Sequence, residues 1–180
     1  MALISAATII TSVSLFHLTL AYFFLTNPSQ IADQTLVFII GQAMNMPHSR
    51  AFEVASPALS FLGAVLALMG ISDLAACSSR EEVFVFYWGA QAPVRIFALM
   101  FLTTYSYFFS ASSPLYSSAS STYTYTPSGW GEGLKNRIFF TWAFLELVTW
   151  FWIWTTLREE RFEWAKRITM KRAADEEDRL

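Results

Sequence analysis

The sequence predicts an all-α integral membrane bundle: four transmembrane helices, one interfacial or re-entrant helix, and a charged cytosolic C-terminal helix. Composition is the first reason: 54% of the 180 residues are hydrophobic and 17% aromatic, with only 14% charged. Soluble domains carry about 25% charged residues, so the deficit points to lipid. The second reason is uneven charge. Residues 1 to 79 hold only Asp33, Arg50, Glu53 and Asp73, whereas residues 158 to 180 hold fourteen of the chain's 26 charged side chains. The third is length: four apolar runs reach the roughly 20 residues that crossing a bilayer requires.

In chain order, the first span covers about residues 3 to 25, interrupted only by Ser, Thr and His17, and Asn27-Pro28 stops it. Residues 31 to 46 are apolar but punctuated by Asp33, Gln34, Gln42 and Asn45. Their uncharged core is too short to cross, which predicts the interfacial or re-entrant helix. The second span, about 54 to 76, opens on Ser56-Pro57 as N-cap and first turn. The third, 83 to 109, is longer than crossing needs and contains Pro93, a kink position. Residues 110 to 133 are rich in Ser, Thr, Tyr, Gly and Pro without packable periodicity, which predicts a flexible loop. The fourth span, 137 to 157, is crowded with Phe and Trp. The four-span domain thus occupies residues 1 to 157. The tail, 158 to 180, is expected to continue as a helix with Glu163 and Arg167 paired at i,i+4.

Four spans place both termini on one side. That side collects Arg80, Arg158, Arg161, Lys166, Arg167, Lys171 and Arg172, against Arg50, Lys135 and Arg137 on the other. The positive-inside rule then puts both termini in the cytosol. A net charge of −2 gives no case for direct nucleic-acid binding, and the lone Cys77 cannot form an intrachain disulfide. The first arginine is Arg50, so an Arg-rich mitochondrial presequence is not expected. No nucleophile elbow, phosphate loop or zinc spacing is present, so the reading is non-enzymatic, with no catalytic residues, metal or cofactor.

The candidate site is Arg95, in the middle of the third span, with Glu146 in the fourth. Counted from the cytosolic ends both lie about 17 Å deep, which suggests that they pair. Gln91 and Trp88 share the face of Arg95 at i−4 and i−7, and Trp142 and Trp150 flank Glu146 at i±4. Buried intramembrane charges mark binding or translocation sites. A register-fixing ion pair, or a contact to a partner subunit, uses the same residues. His17 fits either a proton relay or a neutral histidine bonded to a neighbouring helix, and Asp73 a solvated helix-end residue or a ligand.

Several blocks carry a resemblance. They are Met1-Ala2-Leu3-Ile4-Ser5-Ala6 through Leu25-Thr26-Asn27-Pro28; Met46-Pro47-His48-Ser49-Arg50; Gly70-Ile71-Ser72-Asp73-Leu74; Tyr87-Trp88-Gly89-Ala90-Gln91-Ala92-Pro93-Val94-Arg95; and Pro127-Ser128-Gly129-Trp130-Gly131-Glu132-Gly133-Leu134-Lys135-Asn136-Arg137. Together they resemble the fungal "increased loss of mitochondrial DNA" membrane proteins over nearly the whole chain. The resemblance implies a multi-pass protein of the endoplasmic reticulum membrane, with no established catalytic site to carry over and an indirect effect on mitochondrial DNA. The expected function is therefore an accessory or assembly factor in membrane homeostasis, working in the lipid bilayer with a membrane-protein partner or bound lipid. The alternative is a lipid- or sterol-binding or small-molecule transport bundle, with an Arg95–Glu146 site lined by Trp88, Trp142 and Trp150.

Overall fold

The computed structural model describes residues 4–111, 113, 116 and 131–177. Most of the Ser/Thr/Tyr-rich loop expected at 110 to 133 lies outside the described residues. Among those described, every regular element is helical: α1 (Ala6–Thr26), α2 (Ser29–Ala32), α3 (Thr35–Ala43), α4 (Pro57–Cys77), α5 (Glu81–Phe108) and α6 (Arg137–Glu177). Four of them, α1, α4, α5 and α6, are long and apolar enough to cross a membrane.

The starts of three long helices follow from side-chain caps. Ser5 Oγ accepts from the Thr8 amide, Ser56 Oγ from Leu59, and Asn136 Oδ1 from both Ile138 and Phe139. The α5 start instead has Glu81 and Glu82 in its first turn, favourable against the helix dipole. Helix α5 runs unbroken through Pro93. The stretch expected as one helix over 31 to 46 is two, because Asp33 and Gln34 leave helical geometry between them. Nine-residue α3 spans only about 14 Å, well short of a bilayer. Asn45, at φ 51, turns the chain away after it, a backbone setting that asparagine tolerates.

Helix α6 is 41 residues long, about 60 Å, so its C-terminal half projects beyond any bilayer core. The fourth span and the charged tail are therefore one rod. On it Arg167 does not pair with Glu163 as spacing suggests; it reaches Glu81 at the start of α5, at 2.6 Å. Glu163 lies 3.9 Å from Lys166 instead. The i,i+4 rule compares positions on one helix, and here a neighbouring helix offers the better-placed carboxylate.

The bundle is built from two antiparallel pairs. Helix α1 packs along α4, and α5 along α6, while α4 and α5 stay apart beyond their connecting turn. Small residues allow the first pair its close approach. A Cβ at Gly63 would lie 3.1 Å from the Ala21 carbonyl oxygen, and one at Gly70 only 2.8 Å from that of Ser14. Approach this tight gains dispersion contacts that lipid does not already supply. The second pair relies on rings, with Trp88 stacked on Trp150 at 5.7 Å between centroids. Helix α1 also meets α6, where Glu160 Oε1 accepts the Ala6 amide at 2.8 Å. Outward side chains are large and apolar, with Phe86 80% and Phe61 73% exposed, as a lipid-facing surface requires.

Gly70→Val is expected to destabilise the bundle by about 1–3 kcal/mol, because the new side chain meets backbone that cannot rotate away. Gly133, with nothing within 4 Å of an added Cβ, serves as the control. Tryptophan-fluorescence melting in detergent should show a lower midpoint for Gly70→Val and none for Gly133→Ala.

Candidate functional site

The buried positions of α4 are Leu59, Gly63, Leu66, Gly70 and Asp73, a 4-3-4-3 spacing that forms one seam. The glycines of that seam face α1, and Asp73 ends it, only 2% exposed. It is not the solvated helix-end residue that its place near Cys77 suggests. Arg95 of α5 meets it in a fork-to-fork pair: Nη1 donates to Oδ2 at 2.7 Å and Nη2 to Oδ1 at 2.8 Å. Two parallel charge-assisted bonds fix orientation as well as distance.

Arg95 therefore does not pair with Glu146. Counting depth from the helix ends overlooks the direction in which side chains lean. Helical side chains tilt toward the N-terminus of their own helix. Antiparallel α4 and α5 thus send Asp73 inward and Arg95 back toward it, closing a gap that Cα positions alone make look too wide.

Glu146 is held by two other groups. Trp150 Nε1 donates to its Oε2 at 2.9 Å, one turn along α6. His17 Nε2 of α1 lies 2.8 Å from Oε1, with the side chains 1% and 5% exposed. The histidine approaches off its N–H direction, so this is a close polar contact, and neither ring nitrogen makes a well-directed hydrogen bond. Its register follows from the Ala6–Glu160 contact. In antiparallel helices pinned there, His17 and Glu146 lie at similar distances inward from the pin, eleven and fourteen residues respectively.

The Asp73–Arg95 ion pair and the Glu146–His17 contact belong to one network. The Arg95 guanidinium sits 4.4 Å from the Trp150 ring centroid and 5.4 Å from that of Trp88. Trp150 thus presents its face to Arg95 and its N–H to Glu146. The order runs Asp73, Arg95, Trp150, Glu146, His17, and passes through α4, α5, α6 and α1 in turn. Both contacts cross between the two helix pairs, α4 to α5 and α6 to α1. Chemically the arrangement is an electrostatic clasp around an aromatic spacer.

Of the residues singled out in the sequence, Arg95, Glu146, His17, Asp73, Trp88 and Trp150 converge here. Gln91 is half-buried on α5 outside the network. Trp142 packs on Phe139 instead, at 5.8 Å between centroids, and its buried N–H has no hydrogen-bond partner among the described residues. Glu160, the cap on α1, escaped notice because nothing in the tail's charge pattern separates it from its neighbours. The described cavity, about 240 Å³ and lined by Ala32, Asp33, Thr35, Phe38 and Arg137, lies away from this network.

Arg95→Met is expected to destabilise by about 3–5 kcal/mol, since it strands a buried carboxylate. The double variant Arg95→Met/Asp73→Leu removes both charges and should be markedly milder than Arg95→Met alone. Unfolding midpoints of the two singles and the double, compared as a cycle, check this; simple additivity would mean that the pair carries no coupling.

Comparison with known proteins matches this architecture to a named family. The family described as "Increased loss of mitochondrial DNA protein 1" matches residues 4–167, a range that includes every member of the network. Protein ILM1 of Saccharomyces cerevisiae (strain ATCC 204508 / S288c) is 26% identical over 162 residues, covering 90% of this chain and 68% of its own length. No solved structure matches. The resemblance carried by the blocks around Arg95 and Asp73 holds over most of the chain, which belongs to the increased loss of mitochondrial DNA protein 1 family.

Proposed function

We propose that this protein is a non-enzymatic accessory or assembly factor of the endoplasmic reticulum membrane, with both termini cytosolic. In this reading it supports membrane homeostasis, and its link to mitochondrial DNA maintenance, carried over from the family description, is indirect. The observation that carries it is the internal compensation of the embedded charges. Asp73, Arg95, Glu146 and His17 are spent on one another under stacked tryptophans. Such pairs serve as interhelical glue where the hydrophobic effect is absent. What remains for function is the apolar outer surface and the long charged end of α6, both suited to contacts with lipid or another membrane protein.

The orientation rests on charge: the end of the bundle where Ala6 meets Glu160 also carries Arg80, Arg158 and Arg161. The alternative, a lipid- or sterol-binding or transport bundle at Arg95 and Glu146, needs an open space joining the two. The Trp150 ring occupies that space.

The test is a tagged purification in mild detergent, comparing wild type with Arg95→Ala and Glu146→Ala. An accessory factor co-purifies with one membrane protein at fixed stoichiometry, and both variants fall in their own steady-state level or release that partner. A variant that stays abundant and in complex, while cells still lose mitochondrial DNA, would show that the charges act directly and would sink the structural reading.

A further inference from the structure

A second polar site lies at the opposite end of the bundle from the Ala6–Glu160 contact. Arg137 opens α6 there and is the last charged residue before the apolar run from Ile138 to Leu145. Its amide donates to the Pro47 carbonyl at 3.0 Å. Its stem passes over Gly41 of α3, where a Cβ would lie 2.6 Å from Arg137 Cβ. Backbone and stem are thus fixed, yet the buried Nε has no hydrogen-bond partner, and among the described residues the guanidinium has no ion pair.

The cavity of about 240 Å³ opens beside it, lined by Ala32, Asp33, Thr35, Phe38 and Arg137. Asp33, the residue that ends α2, likewise has no ion pair among the described residues, and it does not reach Arg137. The walls therefore hold one cation and one anion kept apart, with a hydroxyl and an exposed aromatic ring between. Opposite charges that line one cavity without meeting are complementary to a zwitterion rather than to a simple anion. The level matters too: a charge at the start of an apolar crossing run lies where lipid headgroups lie.

We propose that this cavity binds the headgroup of a zwitterionic glycerophospholipid. The phosphate diester accepts from Arg137 and the Thr35 hydroxyl. The ammonium group lies against the Asp33 carboxylate and the face of Phe38, the arrangement by which aromatic rings hold ammonium ions. The volume is below the roughly 300–1,000 Å³ of sites for drug-sized ligands. It suits a headgroup alone, with the acyl chains outside in the bilayer. A soluble phosphoamine shares the same chemistry, and the experiment separates the two sources.

The full-length protein is purified in mild detergent and offered equal amounts of phosphatidylcholine, phosphatidylethanolamine and phosphatidylglycerol, with retained lipid read by native mass spectrometry. Wild type is expected to keep one zwitterionic phospholipid, and Arg137→Gln to retain about tenfold less, as loss of a charge-assisted bond predicts. Asp33→Asn changes an exposed side chain without hydrogen bonds in the described structure, so its fold is safe. It should shift the preference toward phosphatidylglycerol. Equal retention by wild type and Arg137→Gln overturns the proposal, as does a wild-type preference for phosphatidylglycerol. Displacement of the lipid by millimolar phosphocholine would overturn the lipid assignment in favour of a soluble ligand. Should Arg137→Gln fail to fold, unchanged selectivity in Asp33→Asn is enough to reject the site.

Discussion

A guanidinium within a hydrocarbon-spanning helix has to be satisfied by protein, because lipid offers neither counter-charge nor acceptors. In this chain that requirement, placed on Arg95, sets where three other helices go. Asp73 supplies the carboxylate and so fixes α4 against α5. Trp150 and, further off, Trp88 stack on each other beside the cation, and Trp150 so ties in α6. Trp150 then turns its N–H to Glu146, which brings in His17 and with it α1. Moving any one of these residues by a turn of helix would leave a charge exposed to lipid or an acid without its donor.

The two helix pairs are each held by different means, and the clasp adds polar contacts between them. Between α1 and α4 the glycines remove side chains so that backbones touch; between α5 and α6 large rings fill the gap. Neither device works between α4 and α5, which share little contact surface. In water, burial of apolar area would draw the two pairs together. In lipid it gains little, since acyl chains solvate Leu and Phe as well as another helix does. Between α4 and α5 directional polar contacts therefore carry the association, while α1, α5 and α6 also share an apolar core. Their strength rises in the low-dielectric interior, as does the cost of breaking them.

The four spans were legible because apolar length is a property of the sequence alone, and capping residues such as Ser56 and Asn136 mark their starts. Pairing was less legible, because it depends on the angle about each helix axis as well as depth. Depth correctly selected Arg95 and Glu146 as the demanding residues, then matched them to each other. The angular information was present: Gly63, Leu66, Gly70 and Asp73 recur at alternating four and three, which places the aspartate on the buried seam of α4. Scored by proximity to the helix end, Asp73 looked solvated; scored by its seam, it is the natural acid for Arg95. The division of residues 31 to 46 into two helices was hidden for another reason. Asp33 and Gln34 were counted as polar interruptions, whereas they act as backbone breaks.

Paired and unpaired charges both occur among the described residues, and where each lies bears on where function resides. Toward the Ala6–Glu160 contact Asp73 is matched with Arg95 and Glu81 with Arg167. At the other end Arg137 and Asp33 face one cavity without meeting. Folding alone gives no reason to hold a cation rigidly over a glycine with its Nε buried and unbonded, since a free arginine stem would extend its head to water. The stem lies over Gly41, and the residue's amide is held by the Pro47 carbonyl. The residues at that end are thus held ready for something outside the chain, while the central clasp is complete within it. A protein so arranged keeps its helices together with one set of charges and has another left over to meet its surroundings.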